Sequence, residues 1–507
     1  MECRPLGKLL AVLMSLILLF GALPGSQPGA QAATTSLPGT GMACFRSLNA
    51  IEARLTELVK NYPNLAEIVD IGPSWEKTDG VDSTPGSDLQ VLRITNKAIT
   101  ETKPVMFVVS GLDSRDILGV ELNLRFAERL LESYGQDPDV TMVLDTSEVQ
   151  LLLVANPDGR EVLESQLATE NGAYLTWGEA WGRNRNTAGC TFGTPSIGVD
   201  LSRNFALGFT PKPNCVDDYP GPNAESEPET FAIAEGLREL YPDTRSNPTA
   251  PVIEDTPGLV INLTDWGTHH FVFYPYHWGD WIYSLAGKLA NSPGEDDLMH
   301  QAVAEDQTRF GNLLGYAYEE LGVASMEMRI MKLGLFGRFP NCSQFTEPVV
   351  DAWLDTLLKA ARSSPLPYEF AQGPEITSLS ATQSTATSSQ TWDVKGTVDA
   401  WDYQNLFWDK LPADPEGVDY SRSLPPWHES AVTSAAVYTA DETSTYLGTF
   451  STPLPDNLDP ADEPQLIYFQ AYNTDGKFGL PRALFVTPTT PTTPTEMHYL
   501  ALPLITR

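Results

Sequence analysis

Two apolar runs, Val105 to Ser110 and Val149 to Val154, the second interrupted only by Gln150, constrain the fold of this 507-residue chain more than any other feature. Each is long enough for a strand and too short for a helix. Neither alternates with polar residues, so both faces must be buried. The first stops at Gly111 and the second at Asn156-Pro157-Asp158-Gly159, both turn-forming. Between them Leu118 to Tyr134 reads as an amphipathic helix with Leu122, Phe126, Leu130 and Leu131 along one side. Upstream, Ser47 to Tyr62 has helical apolar spacing, and Leu89 to Ile94 alternates like a half-buried strand. Strand–loop–helix units of this length indicate an α/β domain, with a mixed, largely parallel central sheet and helices on both faces. In such sheets ligands bind beyond the carboxyl ends of strands, which directs attention to the loops after Ser110 and Ala155.

Composition changes after Phe370. Ser378 to Thr391 is mostly Ser, Thr and Ala, and short alternating segments follow from Thr391 to Val398, Ser434 to Thr439, Gln465 to Ala471 and Ala483 to Thr487. This pattern predicts an α/β domain over residues 43–370 and a second, all-β unit over 371–487, a sandwich of immunoglobulin or fibronectin type. Residues 488–507 hold a Pro/Thr linker and an apolar C-terminal tail, which reads equally as a docking or sorting tail and as a terminal strand.

At the other end, Arg4 and Lys8 precede an apolar run from Leu9 to Phe20, and Ala30-Gln31-Ala32 supplies a small-x-small cleavage pattern. Residues 1–32 therefore read as a signal peptide, with secretion or the cell surface as the expected destination. No second stretch is long and apolar enough to predict a transmembrane span after signal cleavage. The formal net charge of −34 opposes binding to nucleic acid. Cleavage removes Cys3 and leaves Cys44, Cys190, Cys215 and Cys342. An even number in an exported chain reads as two disulfides, with three connectivities open. None forms a C-x-x-C pair, which argues against a thiolate metal site.

Six segments carry a family resemblance. They are Ile71-Gly72-Pro73-Ser74-Trp75-Glu76, Asn156-Pro157-Asp158-Gly159, and Ile197 to Phe205 with its Gly198-Val199-Asp200-Leu201-Ser202-Arg203-Asn204 core. Cys215 to Glu229, with Tyr219-Pro220-Gly221-Pro222 and Ser226-Glu227-Pro228-Glu229, follows, then Phe273-Tyr274-Pro275-Tyr276 and Pro340 to Phe345. In this order over some 300 residues they resemble the zinc carboxypeptidases of the carboxypeptidase A/T type, secreted bacterial members included. The resemblance implies Cys190–Cys215 as one disulfide, because Cys215 sits where the family places the second member of such a bridge. That leaves Cys44 and Cys342 as the other pair.

The resemblance also implies a zinc site of two His and one Glu, with an open position for water and a Glu as general base. At those positions this chain differs. In Gly111-Leu112-Asp113-Ser114-Arg115-Asp116, Asp113 stands at the His position of the H-x-x-E loop and Asp116 at the Glu position. In Ile261 to Gly267, Thr264 falls on the third ligand; counting back from Tyr274-Pro275-Tyr276 lands instead on Trp266. The zinc expected from the family therefore meets a degenerate ligand set. The plain reading of Asp113 and Asp116 is a pair of solvated loop carboxylates. The alternatives are calcium or another hard ion held through oxygen, and His269 or His270 turned inward as a surrogate ligand. Glu327 occupies the general-base position, Arg115 that of a substrate-contacting arginine, and Arg203 that of the clamp on a peptide's terminal carboxylate. Ser202 replaces the Asn beside it. Gly182 stands where the family has its oxyanion arginine, and Arg183 is one residue off.

These readings point to a secreted zinc-carboxypeptidase-fold protein that is non-catalytic, a pseudoenzyme binding peptide or protein C-termini. The rivals are an active metallocarboxypeptidase that releases C-terminal residues from an altered metal site, supported by Glu327, Arg115 and Arg203, and a surface adhesion protein whose working part is the β-sandwich.

Overall fold

The computed structural model describes residues 36–37, 42–79, 85–169, 175–187, 197–246, 252–267, 271–273, 285, 288–289, 302–304, 311–332, 340–384, 391–400, 413–454 and 464–486. The expected signal peptide, the Pro/Thr linker and the C-terminal tail lie outside the described residues.

Eight strands form the first sheet: β1 (Ala66–Pro73), β2 (Asp88–Ile94), β3 (Val105–Ser110), β4 (Glu148–Leu152), β5 (Leu259–Gly267), β6 (Phe271–Phe273), β7 (Ala302–Ala304) and β8 (Ala324–Lys332). Their order is β1-β2-β4-β3-β5-β8-β6-β7. The centre, β4 through β8, is parallel, and antiparallel pairs flank it, so the sheet is mixed. The helices are α1 (Leu48–Asn61), α2 (Trp75–Asp79), α3 (Ile117–Ser133), α4 (Pro138–Thr146), α5 (Pro157–Leu167), α6 (Pro228–Leu240), α7 (Glu347–Ser363) and α8 (Pro367–Phe370).

The apolar runs are buried on both faces. Met106 and Val108 of β3 enter one core with α1, α3, α4, α5 and α7, while Phe107 and Val109 enter a second core with α6. Each such fully buried side chain contributes about 1.5–3 kcal/mol. On β5 and β8 the same alternation has a different consequence. Leu259, Ile261, Leu263, Met326, Met328 and Ile330 fill the first core. The opposite parity, which begins with apolar Val260, continues as Asn262 and Thr264, beside Glu327 and Arg329 on the neighbouring strand. The strand period thus puts a polar row on the α6 face toward the carboxyl ends of the central strands.

Residues beyond α8 form two four-stranded antiparallel sheets. One is β13 (Val437–Ala440), β14 (Leu447–Leu454), β10 (Thr391–Asp399) and β9 (Glu375–Ser384); the other is β12 (Ser434–Ala435), β11 (Pro415–Ser421), β15 (Gln465–Asn473) and β16 (Arg482–Val486). They share one core, with Val394, Phe450 and Leu454 from the first and Val418, Ile467 and Phe469 from the second. The run from Ser434 to Thr439, expected as one segment, is split: β12 pairs with β11 in one sheet and β13 with β14 in the other. The junction with the α/β sheet lies at the amino ends of its parallel strands. There Asp139 of α4 accepts from the Ala483 backbone N–H at 2.8 Å, and Arg362 of α7 donates to the Pro481 carbonyl at 2.8 Å.

A disulfide joins Cys44 to Cys342 across 298 residues, tying the segment before α1 to the segment before α7. Cys215 is also disulfide-bonded, and Cys190 lies outside the described residues. Among the described residues no helix is long and apolar enough to cross a membrane.

Candidate functional site

The loop after β3 begins at Gly111, whose φ of +69° favours glycine and turns the chain away from the sheet. Asp113 then folds back on its own loop. Its Oδ1 accepts from the Arg115 backbone N–H at 3.0 Å and from Arg115 Nε at 2.8 Å, and its Oδ2 accepts from the same guanidinium. Arg115 Nη1 donates to the Trp177 carbonyl at 3.1 Å, and the guanidinium lies 4.8 Å from the centre of the Trp177 ring. Burial by itself would lower the Arg115 guanidinium, but the charge of Asp113 and the hydrogen bonds to it hold it above its ordinary value.

Gly182 packs directly against this pair. A Cβ there would come within 2.5 Å of Arg115 Nε, 2.7 Å of its Cζ and 2.7 Å of Asp113 Oδ1. Ser114 fixes the contact, donating through Oγ to the Trp181 carbonyl and through N–H to the Gly182 carbonyl. The missing side chain at Gly182 and the ion pair therefore occupy the same space.

Asp116 goes the other way, into the protein, with 4% of its surface exposed. It stands at the N-cap of α3, yet its carboxylate does not cap that helix. The cap comes from Asp265 on β5, which accepts the Leu118 N–H at 3.0 Å and the Gly119 N–H at 2.9 Å. In exchange Asp116 Oδ1 accepts the Asp265 N–H at 2.9 Å. A carboxylate at a helix N-terminus satisfies donors the helix cannot. Burial, followed by the charges of Asp265 and Asp113, pushes Asp116 well above the carboxylate range. Burial pushes Asp265 up to about 7 against its backbone hydrogen bonds. The expectation of two solvated loop carboxylates is thus corrected: Asp113 is held by an arginine and Asp116 is buried against a neighbouring strand.

Thr264 lies beside Arg329 in the register of β5 and β8, and its hydroxyl is buried with no hydrogen-bond partner among the described residues. Glu327 is paired in register with Asn262, two residues earlier on each strand, so Arg329 is the residue opposite Thr264. Glu327 Oε1 accepts from Arg329 Nε at 2.6 Å, and both side chains are buried. Arg203 ends a 3-10 turn, Leu201–Arg203, and its Nε donates to Asp200 at 3.0 Å; its Nη2 lies 3.9 Å from Asp218. Ser202 donates to the same Asp200 carboxylate at 2.6 Å. Burial, partly offset by that bond, raises Asp200, and the Asp113 charge adds to it. Arg183 points elsewhere, donating to the Ile197 carbonyl at 2.9 Å and to Asp217 at 3.1 Å. Sequence reasoning missed Asp200 and Asp265, the acids that position Arg203 and the start of α3.

Comparisons with known proteins identify the family of this chain. A model of the family described as zinc carboxypeptidase matches residues 51–355. The chain belongs to the zinc carboxypeptidase family. Carboxypeptidase A1 of Bos taurus is 28% identical over 201 residues, which are 39% of this chain and 42% of that protein. A zinc carboxypeptidase of Saccharothrix mutabilis subsp. capreolus is 25% identical over 176 residues, 34% of this chain and 35% of that one. The chain thus spans less than half the length of these curated relatives. Among solved structures, thrombin activatable fibrinolysis inhibitor aligns at 21% identity with a TM-score of 0.47, over 63% of this chain and 74% of that one. Carboxypeptidase A from Helicoverpa armigera aligns at 20% identity with a TM-score of 0.46, over 64% and 74%.

The motifs shared with the family serve here as a buried polar lattice beneath the loops. Asn184 donates to Glu227 at 2.7 Å and to Glu229 at 3.3 Å, while its Oδ1 accepts the Val199 N–H. Glu229 accepts the Trp75 N–H and Asp158 the Glu76 N–H. Burial pushes Glu229 up to about 8. This lattice frames the candidate site. The family's metal, however, does not fit the donors within it. Both Asp113 oxygens face Arg115, Asp116 is withdrawn to a backbone N–H, and Thr264 offers a neutral hydroxyl. Among the described residues no three His, Cys, Asp or Glu side chains converge in a way that could hold a metal ion. His269 and His270 lie outside the described residues.

Proposed function

We propose that this chain is a secreted, non-catalytic member of the zinc carboxypeptidase family that holds peptide C-termini weakly and does not cleave them. The observation that carries this reading is the Asp113–Arg115 pair, seated where a zinc ligand would need an open lone pair and packed on a residue without a side chain. A histidine-type ligand gives a metal a neutral nitrogen. A carboxylate already hydrogen-bonded three ways to a guanidinium and its backbone offers far less, since coordination tolerates only about 0.2 Å of displacement. Export is supported by the signal-like N-terminus and the Cys44–Cys342 disulfide.

Binding of a terminal carboxylate needs no zinc. Arg203 keeps a charged fork suited to a bidentate pair, but Asp200 already engages its Nε edge. Dissociation constants between millimolar and high micromolar follow, about 4–6 kcal/mol. Titration of the full chain with free-acid peptides and their C-terminal amides tests this, with Arg203→Ala alongside. Preference for the acids, lost in Arg203→Ala, is expected. Equal binding of acids and amides, or turnover of the acids, overturns it.

A further inference from the structure

At the junction between the two parts of the chain, far from the candidate site, α4 and α7 meet β16 around a cavity of about 520 Å³. It opens at the amino ends of the parallel strands, whereas the Asp113 loop follows their carboxyl ends. In a chain with a net charge of −34 its lining is the reverse of the average surface: four cations, Arg129, Lys359, Arg362 and Arg482, against three carboxylates.

Those carboxylates are already engaged. Asp137 caps α4, accepting the Asp139 and Val140 N–H groups at 2.9 and 3.3 Å. Asp355 pairs with Arg129 at 2.6 Å. Asp139 serves the Ala483 N–H through Oδ1 and is left to balance two guanidiniums through Oδ2, Arg482 at 2.7 Å and Arg362 at 4.0 Å. Arg362 is only 6% exposed, and its Nε is turned to the Pro481 carbonyl. Burial dominates its environment and lowers the guanidinium below its ordinary value despite Asp139. Asp139 is shared between two guanidiniums, with Glu375 and Asp137 acting on Arg362 from further off, and burying a guanidinium is costly unless its charge is fully paired.

We propose that this junction cavity is a binding site for a small oxyanion of the phosphate or polycarboxylate class, held by Arg362, Arg482 and Lys359. Such a ligand bridges α7 and β16, so it also fastens the β-sheets to the α/β part.

Isothermal titration of the full chain with inorganic phosphate and with citrate, at constant ionic strength in chloride, tests the site. Saturable one-to-one binding is expected with at least one of the two. It should weaken about tenfold in Lys359→Gln and in Arg482→Gln and stay unchanged in Arg203→Ala. Lys359→Gln alters a half-buried side chain of α7 whose ammonium also donates to the Lys288 carbonyl at 3.1 Å, a bond the glutamine amide can replace, so the test survives if Arg482→Gln fails to fold. No binding by either anion above the chloride background overturns the proposal. So does binding that Arg203→Ala abolishes and Lys359→Gln leaves intact, which would move it to Arg203.

Discussion

Substituting Gly182 by alanine probes the Asp113–Arg115 pair without removing any charged group. The new methyl would sit 2.5 Å from Arg115 Nε and 2.7 Å from Asp113 Oδ1, well inside contact distance. Both neighbours are side-chain ends, but they hold each other and Arg115 is also anchored to the Trp177 carbonyl, so neither yields alone. Overpacking of this kind costs about 1–3 kcal/mol. Against it stands the gain from removing glycine's freedom in the unfolded chain, about 0.4–1 kcal/mol. A net loss of roughly 1–2 kcal/mol is expected. Asp113→Ala breaks the pair; because both side chains are about a quarter exposed, its cost should fall below the buried-pair range, at about 1–3 kcal/mol. In the Asp113→Ala background the guanidinium keeps only its Trp177 contacts and can swing aside, so Gly182→Ala should cost almost nothing or stabilise slightly. Urea unfolding of the four proteins gives the coupling energy, expected at about 1–2 kcal/mol. Additivity to within about 0.5 kcal/mol would refute the idea that the absent side chain and the ion pair share one space.

The buried Glu229 makes stability depend on pH. Its pKa is raised from 4.5 in the unfolded chain to about 8 in the folded one, so the fold keeps a proton the unfolded chain releases. This stabilisation is complete below about pH 4.5 and is lost as pH rises toward 8, at about 1.4 kcal/mol per pH unit. Glu229→Gln should reduce the slope between pH 5 and 8 by about that amount in denaturant titrations, leaving the contributions of Asp116 and Asp265; an unchanged slope would show that the proton resides elsewhere. Replacing Cys44 and Cys342 together by serine should cost about 2–5 kcal/mol of unfolding free energy, read by denaturant melts of the oxidised protein. A loss below 1 kcal/mol would mean the segment before α1 is held by packing alone.

Much of the α/β fold was legible because its strands are buried on both faces. Val105 to Ser110 can be nothing but a core strand, and its terminal glycine marks the site loop. The outer sheets were harder to read. In β9 exposed Ser and Thr alternate with few apolar residues, and its Ser/Thr composition looks like a linker until β10 pairs with it. The split at Ala436 depends on which sheet each half joins, a long-range fact with no local mark. At the site, the departures from the family's ligand pattern stood in the sequence at Asp113, Asp116, Thr264 and Gly182. What replaced the ligands did not. Asp265 acts on backbone N–H groups 146 and 147 residues away, and its sequence neighbours say nothing of them. The Asp113–Arg115 contact, by contrast, spans two residues in a turn. An acid followed at i+2 by arginine was a readable signal for it.

The most direct test is the metal itself. The protein, equilibrated with excess zinc at pH 7.5 and passed through a desalting column, is analysed for metal by mass spectrometry. Zinc well below one equivalent per chain is expected, with Asp113→Ala indistinguishable from the unmodified protein. One tightly held zinc per chain, lost in Asp113→Ala, would contradict the claim that this site has been rebuilt around an ion pair.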